Sequence, residues 1–132
     1  MNQQIALITD ANKSNRSPLK SILLRRGFGV EEAEDGTYAL RILDQSAIDV
    51  MFADVTLPAT DGFELVSRIK RSVKNNNGPV VLLSSELPPK DLDRGRKLGC
   101  AGYLVKPFHT ARLDEVLLAA GLFGRTSRAF RI

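Results

Sequence analysis

The sequence contains no tryptophan, one cysteine and one histidine. Because a single cysteine cannot close an internal disulfide, Cys100 excludes a disulfide-stabilised fold and suits a reducing, cytoplasmic environment. We interpret Cys100 as a small core residue. The lone His109 excludes a cluster of histidine metal ligands and a catalytic pair of histidines, and we expect it at the exposed start of the last helix.

Long apolar runs are absent as well. No stretch approaches the roughly 18 apolar residues that cross a bilayer, and the segment Met1-Asn2-Gln3-Gln4 lacks the basic and apolar regions of a signal peptide. The sequence also lacks a Gly-rich phosphate loop, a nucleophile elbow and the spacing of zinc ligands. We therefore expect a cytoplasmic protein without a membrane partner.

The remaining composition is typical of one globular domain. Of the 132 residues, 43% are hydrophobic, which is enough for a real core. Residues 87–132 carry nine Lys and Arg against four Asp and Glu, whereas residues 1–86 carry ten against eleven. A solvated surface, an acidic partner and nucleic acid are all open interpretations of the basic half. We expect one domain over residues 1–121 and a basic C-terminal tail over 122–132.

Short apolar runs alternate with stretches of helical spacing. These runs predict strands at residues 4–9, 28–33, 50–53, 80–84 and 102–105. Four of them look buried on both faces, as parallel strands usually are, and the more polar run at 28–33 suits an edge. Repeated strand–helix alternation predicts an α/β fold with an open parallel sheet and right-handed crossovers.

Several helix boundaries can be predicted from capping and breaking residues. Ser17-Pro18 suggests the start of the first helix and Gly27 its end. Helical spacing in the third helix continues to Val73, and the segment Asn75-Asn76-Asn77-Gly78 is expected to end it.

The segment from Pro88 to Gly99 is the weakest of the predicted helices. It offers little apolar surface, and its interior residue Gly95 costs about 1 kcal/mol relative to alanine. We expect this helix to be the most mobile of the fold and to carry the output of the domain.

Polar and charged residues stand at the carboxyl ends of four predicted strands. They are Asp10, Asp54, Ser84 and Lys106. A carboxylate at the end of a buried strand is costly to place unless it faces a cleft, and open α/β sheets bind ligands beyond these strand ends. Two acids, a hydroxyl and a lysine are the parts of a site that accepts a phosphoryl group.

The surrounding motifs carry a resemblance to a known family. In order and spacing, Asp54…Leu57-Pro58…Asp61-Gly62, Ser84-Ser85 and Lys106-Pro107-Phe108 form a specific pattern. Over most of its length the chain resembles the receiver domain of bacterial two-component response regulators. The resemblance implies a doubly wound, flavodoxin-like sheet of five parallel strands in the order 2-1-3-4-5. It also implies a phosphoacceptor in a phosphorelay rather than an enzyme.

The resemblance also implies a role for each site residue. Asp54 would take a phosphoryl group from a phosphohistidine, and Lys106 would pair first with that carboxylate and then with a phosphoryl oxygen. A cis bond is implied between Lys106 and Pro107. Ser84 would bind the phosphoryl group, and Tyr103 would be the aromatic switch that turns inward. Without the resemblance, two ordinary interpretations stay open: Ser84 as a turn serine at a strand end, and Tyr103 as a half-exposed strand tyrosine.

Ala11 departs from the family pattern, which has two adjacent acids at this point. Asp10 matches the first acid, whereas Ala11 replaces the second, the usual direct ligand of magnesium. The implied metal site consists of Asp54, the carbonyl of Thr56 and, through water, Asp10. We therefore expect magnesium to bind weakly. With one carboxylate fewer, the pocket also has less negative charge for a cation to offset.

These observations predict a stand-alone receiver that is phosphorylated on Asp54 by a sensor histidine kinase or a phosphotransfer protein. It would signal through phosphorylation-dependent docking of a downstream protein on the basic face at residues 87–112, where the family also forms homodimers. The alternative is a pseudo-receiver, an interaction module in which Ala11 weakens metal-dependent phosphorylation. Direct binding of nucleic acid is least favoured, because the sequence has no basic patch interleaved with aromatic residues.

Overall fold

Five strands and five helices alternate along the chain in the computed structural model, which describes residues 3–72, 75, 78–86 and 88–122. The strands are β1 (Ile5–Thr9), β2 (Gly29–Ala33), β3 (Val50–Asp54), β4 (Val80–Ser84) and β5 (Gly102–Val105). The helices are α1 (Lys13–Arg25), α2 (Gly36–Gln45), α3 (Gly62–Lys70), α4 (Pro89–Lys97) and α5 (Thr110–Ala119). In the part of the chain that is described, no helix has the length and apolarity that crossing a membrane requires.

The strands form one parallel sheet in the order β2-β1-β3-β4-β5, which confirms the predicted doubly wound fold. Every residue of β3 and β4 is buried, and β2 lies at an edge as its polarity predicted. The prediction that β5 is buried on both faces was wrong. Tyr103 is 37% exposed and Val105 42% exposed, because β5 is the other edge strand and α4 leaves this face partly uncovered.

Continuous apolar runs fill two separate cores because successive side chains of a strand point to opposite faces. In β3, Val50 and Phe52 pack on the side of α1 and α5, whereas Met51 and Ala53 pack on the side of α2 and α3. Leu122, at the start of the predicted basic tail, packs into the first of these cores, and the rest of that tail lies outside the described residues.

Helix α1 begins earlier than Ser17-Pro18 predicted. The side chain of Asn12 accepts a hydrogen bond from the amide of Ser14 (2.9 Å) and caps the helix, so that Pro18 lies within it. The prediction at the other end was right, since Gly27 follows the helix with a φ of 89°. The cap that Asn12 provides, rather than Ser17-Pro18, therefore marks the start of α1.

Helix α3 ends at Lys70, before the predicted breaker segment, and Val73, Asn76 and Asn77 lie outside the described residues. Asn75 has a structural role that the sequence did not suggest. Its buried amide accepts a hydrogen bond from the main chain of Ile48 (3.0 Å) and donates one to the carbonyl of Leu43 (2.9 Å). It thereby holds together the turn between α2 and β3.

Helix α4 makes a thin contact with the sheet. Of its nine residues, all of them described, Gly95 is the buried one. A Cβ atom at this position would lie 2.7 Å from Cδ1 of Leu82 on β4, so the glycine permits the close approach. At its surface, α4 also contacts α3, because the guanidinium of Arg94 lies 4.3 Å from the ring centroid of Phe63.

We predict that amides of α4 exchange with solvent faster than those of α5, which buries Leu113, Val116 and Leu117. Few buried apolar contacts lower the free energy of local opening. Hydrogen exchange followed by mass spectrometry measures both helices in one experiment, with α5 as the internal control. Equal protection of the two helices would contradict the prediction.

Candidate functional site

The topology brings the four strand-end residues to one edge of the sheet. Asp54 is the last residue of β3 and Ser84 the last of β4, while Asp10 directly follows β1 and Lys106 directly follows β5. The strand order places β1, β3, β4 and β5 side by side in a parallel sheet, so these ends open on the same side. The predicted constellation is therefore assembled in one cleft.

Lys106 joins the two acids. Its ammonium donates to Oδ2 of Asp54 (2.8 Å) and to Oδ2 of Asp10 (2.9 Å). The side chains of Asp10, Asp54 and Lys106 are only 2%, 11% and 17% exposed. Burial by itself lowers the pKa of Lys106, but the hydrogen bonds and charges of the two acids outweigh it, so the pKa is raised and the ammonium form is held.

The second oxygen of each carboxylate accepts a hydrogen bond from the main chain. The amide of Asn12 donates to Oδ1 of Asp10 (2.9 Å), and the amide of Thr56 donates to Oδ1 of Asp54 (3.0 Å). Each acid thus has a main-chain partner on one oxygen and the shared ammonium on the other. The two carboxylates are held in fixed orientations around one cation.

Ser84 lies at this end of the sheet and Tyr103 lies within β5, opposite Leu82, but both side chains have other partners. The buried hydroxyl of Ser84 donates to the carbonyl of Glu86 and accepts from its amide (3.1 Å). The ring of Tyr103 faces outward, where the guanidinium of Arg112 lies 5.0 Å from its centroid. Their predicted roles would therefore require the Ser84 hydroxyl and the Tyr103 ring to leave these contacts.

The connection from β3 to α3 and the Lys106-Pro107 bond shape the rim of the cleft. The Lys106-Pro107 peptide bond is cis, as the resemblance implied. A Cβ atom at Gly62 would collide with the carbonyl of Asp54, so this glycine lets α3 start directly against the end of β3. Asp61 caps α3 by accepting from the amide of Glu64 (2.8 Å).

Arg16 is a residue of the site that the sequence analysis missed. It is 8% exposed, and its guanidinium donates to the main-chain carbonyl of Asp10 (2.6 Å) and to Oε1 of Glu32 (3.0 Å). Its position was a signal, since residue 16 shares a helical face with the buried Leu19 and Leu23. A charged residue on that face requires partners, and the sequence does not show which they are.

The cleft offers a metal ion two carboxylates, those of Asp10 and Asp54. Within the described ranges, no group of three or more His, Cys, Asp or Glu side chains could hold a metal ion. Asp10 and Asp54 nevertheless fit a hard cation in kind, because magnesium prefers oxygen ligands and completes its shell with water. Ala11 is exposed at the end of β1 and contributes no side-chain ligand.

Comparison with known proteins supplies the family. Residues 6–118 match the response regulator receiver domain. The chain belongs to the response regulator receiver family of two-component signalling. The receiver is 31% identical over 99 residues to the protein named probable transcriptional regulator ycf29 of Pyropia yezoensis, a match that covers 75% of the receiver and 45% of that protein.

A second relative is the gliding motility regulatory protein of Myxococcus xanthus. It is 35% identical to the receiver over 100 residues, which are 76% of the receiver and 13% of the relative. The receiver thus spans less than half the length of these curated relatives.

Solved structures share the fold over nearly their whole length. The chemotaxis protein CheY4 of Vibrio cholerae superposes with a TM-score of 0.85 at 30% identity, covering 90% of the receiver and 99% of CheY4. The receiver domain of the sensor histidine kinase PA1611 of Pseudomonas aeruginosa, whose cleft coordinates a magnesium ion, has a TM-score of 0.79 at 26% identity. That match covers 92% of this receiver and 99% of the PA1611 domain.

Ala59, in the loop between β3 and α3, has a φ of 67°, a conformation that costs a non-glycine residue about 1–2 kcal/mol. We predict that Ala59→Gly stabilises the receiver by roughly 0.5–1 kcal/mol, since relief of this strain exceeds the entropy that glycine loses on folding. Urea unfolding measures the change. The control Ala101→Gly, at another exposed alanine, should destabilise the protein, and a loss of stability in Ala59→Gly would contradict the prediction.

Proposed function

We propose that the receiver accepts a phosphoryl group on Asp54. The observation that carries this proposal is the Asp54 carboxylate at a strand end, 11% exposed, with an ammonium 2.8 Å away. A buried carboxylate without a function would be an unfavourable choice for this position. Held between the amide of Thr56 and Lys106, it is oriented for attack on a group that enters the cleft.

In the proposed reaction, a carboxylate oxygen of Asp54 attacks phosphorus and the bond from phosphorus to the histidine nitrogen of the donor breaks. The electron pair of that bond returns to the imidazole, and an acyl phosphate forms on Asp54. Lys106 can then donate to a phosphoryl oxygen, because its ammonium already lies at the carboxylate. The hydroxyl of Ser84 would bind another phosphoryl oxygen after leaving the main chain of Glu86.

Asp10, Asp54 and the carbonyl of Thr56 would hold a magnesium ion. When bound, the ion would neutralise charge on the phosphoryl oxygens. Lys106 now satisfies one oxygen of each acid, so the cleft has a formal charge of −1 before any ion enters. We infer that the receiver holds magnesium weakly and needs it for transfer more than for folding.

The proposed donor is a sensor histidine kinase or a phosphotransfer protein, and the receiver acts as acceptor rather than as an enzyme with a separate substrate. For the output we propose docking of another protein on the face at residues 87–112. This face combines the exposed Tyr103 and Val105 with the cations Arg96 and Lys97. A second copy would bring like charges together, which disfavours a homodimer through this face.

We predict that Asp54→Asn abolishes acid-labile labelling by a small-molecule phosphodonor in magnesium, because the amide is not a nucleophile for phosphorus. Labelling is measured by intact-mass spectrometry of the protein. The control Asp61→Asn, which keeps a capping oxygen at the start of α3, should be labelled as the wild type is. Labelling that persists in Asp54→Asn would assign the acceptor to another residue.

We predict that Ala11→Asp raises the affinity for magnesium by about tenfold or more, because it adds a charged oxygen ligand to a site that has two. Calorimetric titration compares it with the wild type and with Ala11→Asn, a control of similar size without the charge. Equal affinities for all three would show that residue 11 is not a ligand position. Labelling of Ala11→Asp with none of the wild type at any magnesium concentration would instead favour the pseudo-receiver.

A further inference from the structure

Arg16 forms an ionic link between α1, β2 and the end of β1. Its Nε donates to Oε1 of Glu32 and its Nη1 to the carbonyl oxygen of Asp10, at 3.0 and 2.6 Å. Lys20 binds the other oxygen of Glu32 at 2.9 Å. The hydrogen bond from Lys20, together with the one from Arg16, outweighs burial and lowers the pKa of Glu32, so this carboxylate is held ionised as an anchor for the guanidinium.

The main-chain carbonyl that Arg16 binds belongs to Asp10, and every other polar atom of Asp10 also has a hydrogen-bond partner. The amide of Asp10 donates to the carbonyl of Ala33 (3.1 Å), and its carboxylate binds the amide of Asn12 and the ammonium of Lys106. Arg16 supplies the remaining contact, and it is the one that holds the peptide group between Asp10 and Ala11. The orientation of this peptide group is the ψ angle of Asp10, and this angle sets where the main chain carries the amide of Asn12, which orients the Asp10 carboxylate through Oδ1.

We propose that Arg16 is a positioning residue for the acidic cleft, which acts through the main chain of Asp10 to hold its carboxylate against Lys106 and Asp54. The task requires two donors in a fixed geometry, one for Glu32 and one for the carbonyl of Asp10. A guanidinium provides such a fork, whereas the ammonium of a lysine is a point charge on a flexible stem. Partners behind a ligating carboxylate typically change metal affinity or activity by about 10–100-fold.

Because residue 11 is alanine, the cleft depends more on the placement of Asp10 than a site with two adjacent acids would. With no acid at residue 11, Asp10 is the one carboxylate at the end of β1, so any rotation of its side chain removes half of the acidic pair. This part of the inference rests on the proposed phosphorylation of Asp54. The positioning itself does not, because it can be measured without metal or phosphodonor.

The experiment compares Arg16→Lys with Arg26→Lys. Arg26 is a matched control because it directly follows α1, at the opposite end from Arg16, and makes a paired contact with Asp114 (2.9 Å for each bond) far from the cleft. The first readout is amide hydrogen exchange of Asn12, which reports the placement of Asp10. The amide of Ser14, which is capped by Asn12, reports fraying of the same helix end.

We expect Arg16→Lys to raise the exchange rate of the Asn12 amide about tenfold relative to that of Ser14, and to slow labelling of Asp54 by a similar factor. Arg26→Lys should change neither quantity by more than about twofold, whatever its effect on stability. In an Ala11→Asp background, the effect of Arg16→Lys on labelling should shrink, because a second acid then shares the task. Glu32→Gln, which weakens the anchor of the guanidinium, serves as the second variant if Arg16→Lys does not fold.

Each outcome decides between positioning and a purely structural ion pair. If Arg16→Lys lowers stability as Arg26→Lys does but leaves the Asn12 amide and the labelling rate unchanged, Arg16 only fastens α1 to β2 and the proposal is wrong. Equal acceleration of Asn12 and Ser14 would mean fraying and would also overturn it. If the wild type is not labelled at all, the proposed function fails, while the exchange of Asn12 still decides the role of Arg16.

Discussion

One ammonium shared by two carboxylates is the interaction around which this receiver is organised. Lys106 reaches from the end of β5 past β4 to Asp54 on β3 and to Asp10 beyond β1, so a single side chain ties together the ends of three strands. Removing one partner of a buried ion pair typically costs 3–5 kcal/mol, because the other charge stays behind without compensation. Loss of Lys106 would therefore leave two buried carboxylates without their shared cation.

Ala11 changes the balance of that triad. A third carboxylate would leave more negative charge than one lysine can offset, and a divalent cation would then stabilise the fold as well as the chemistry. With two acids, Lys106 neutralises half of the charge and each carboxylate also has a main-chain donor. The cleft then has a formal charge of −1 without metal, and the orientation of Asp10 depends on its remaining contacts, Arg16 among them.

Helix α4, which follows β4, has fewer buried residues than α5. Ser84 is hydrogen-bonded to the main chain of Glu86, three residues before α4 begins, so a shift of its hydroxyl toward the cleft would change the approach to that helix. Helix α4 rests on the sheet through Gly95, and the neighbouring Tyr103 stacks outward on Arg112. Because α4 has few buried contacts, we expect it to have the low local stability that a switch between two arrangements requires.

Much of this protein could be predicted from its sequence, because the determining signals are local. Five apolar runs, the glycine after α1 and the polar residues at four strand ends predicted the sheet and placed Asp10, Asp54, Ser84 and Lys106 at one edge. The predicted start of α1 was wrong because Asn12 rather than Ser17 caps the helix, and the predicted burial of β5 was wrong because an edge position does not show in a run of apolar residues. Tertiary structure alone decided that Asn75 bridges a distant turn, that Gly95 is the contact of α4 with β4, and that Arg16 holds the carbonyl of Asp10. For Asn75 and Arg16 the physical reason is that a buried polar or charged group requires a partner, and the fold rather than the chain order determines which one lies within reach. For Gly95 it is that only the fold decides where a helix comes too close to a side chain for a Cβ atom.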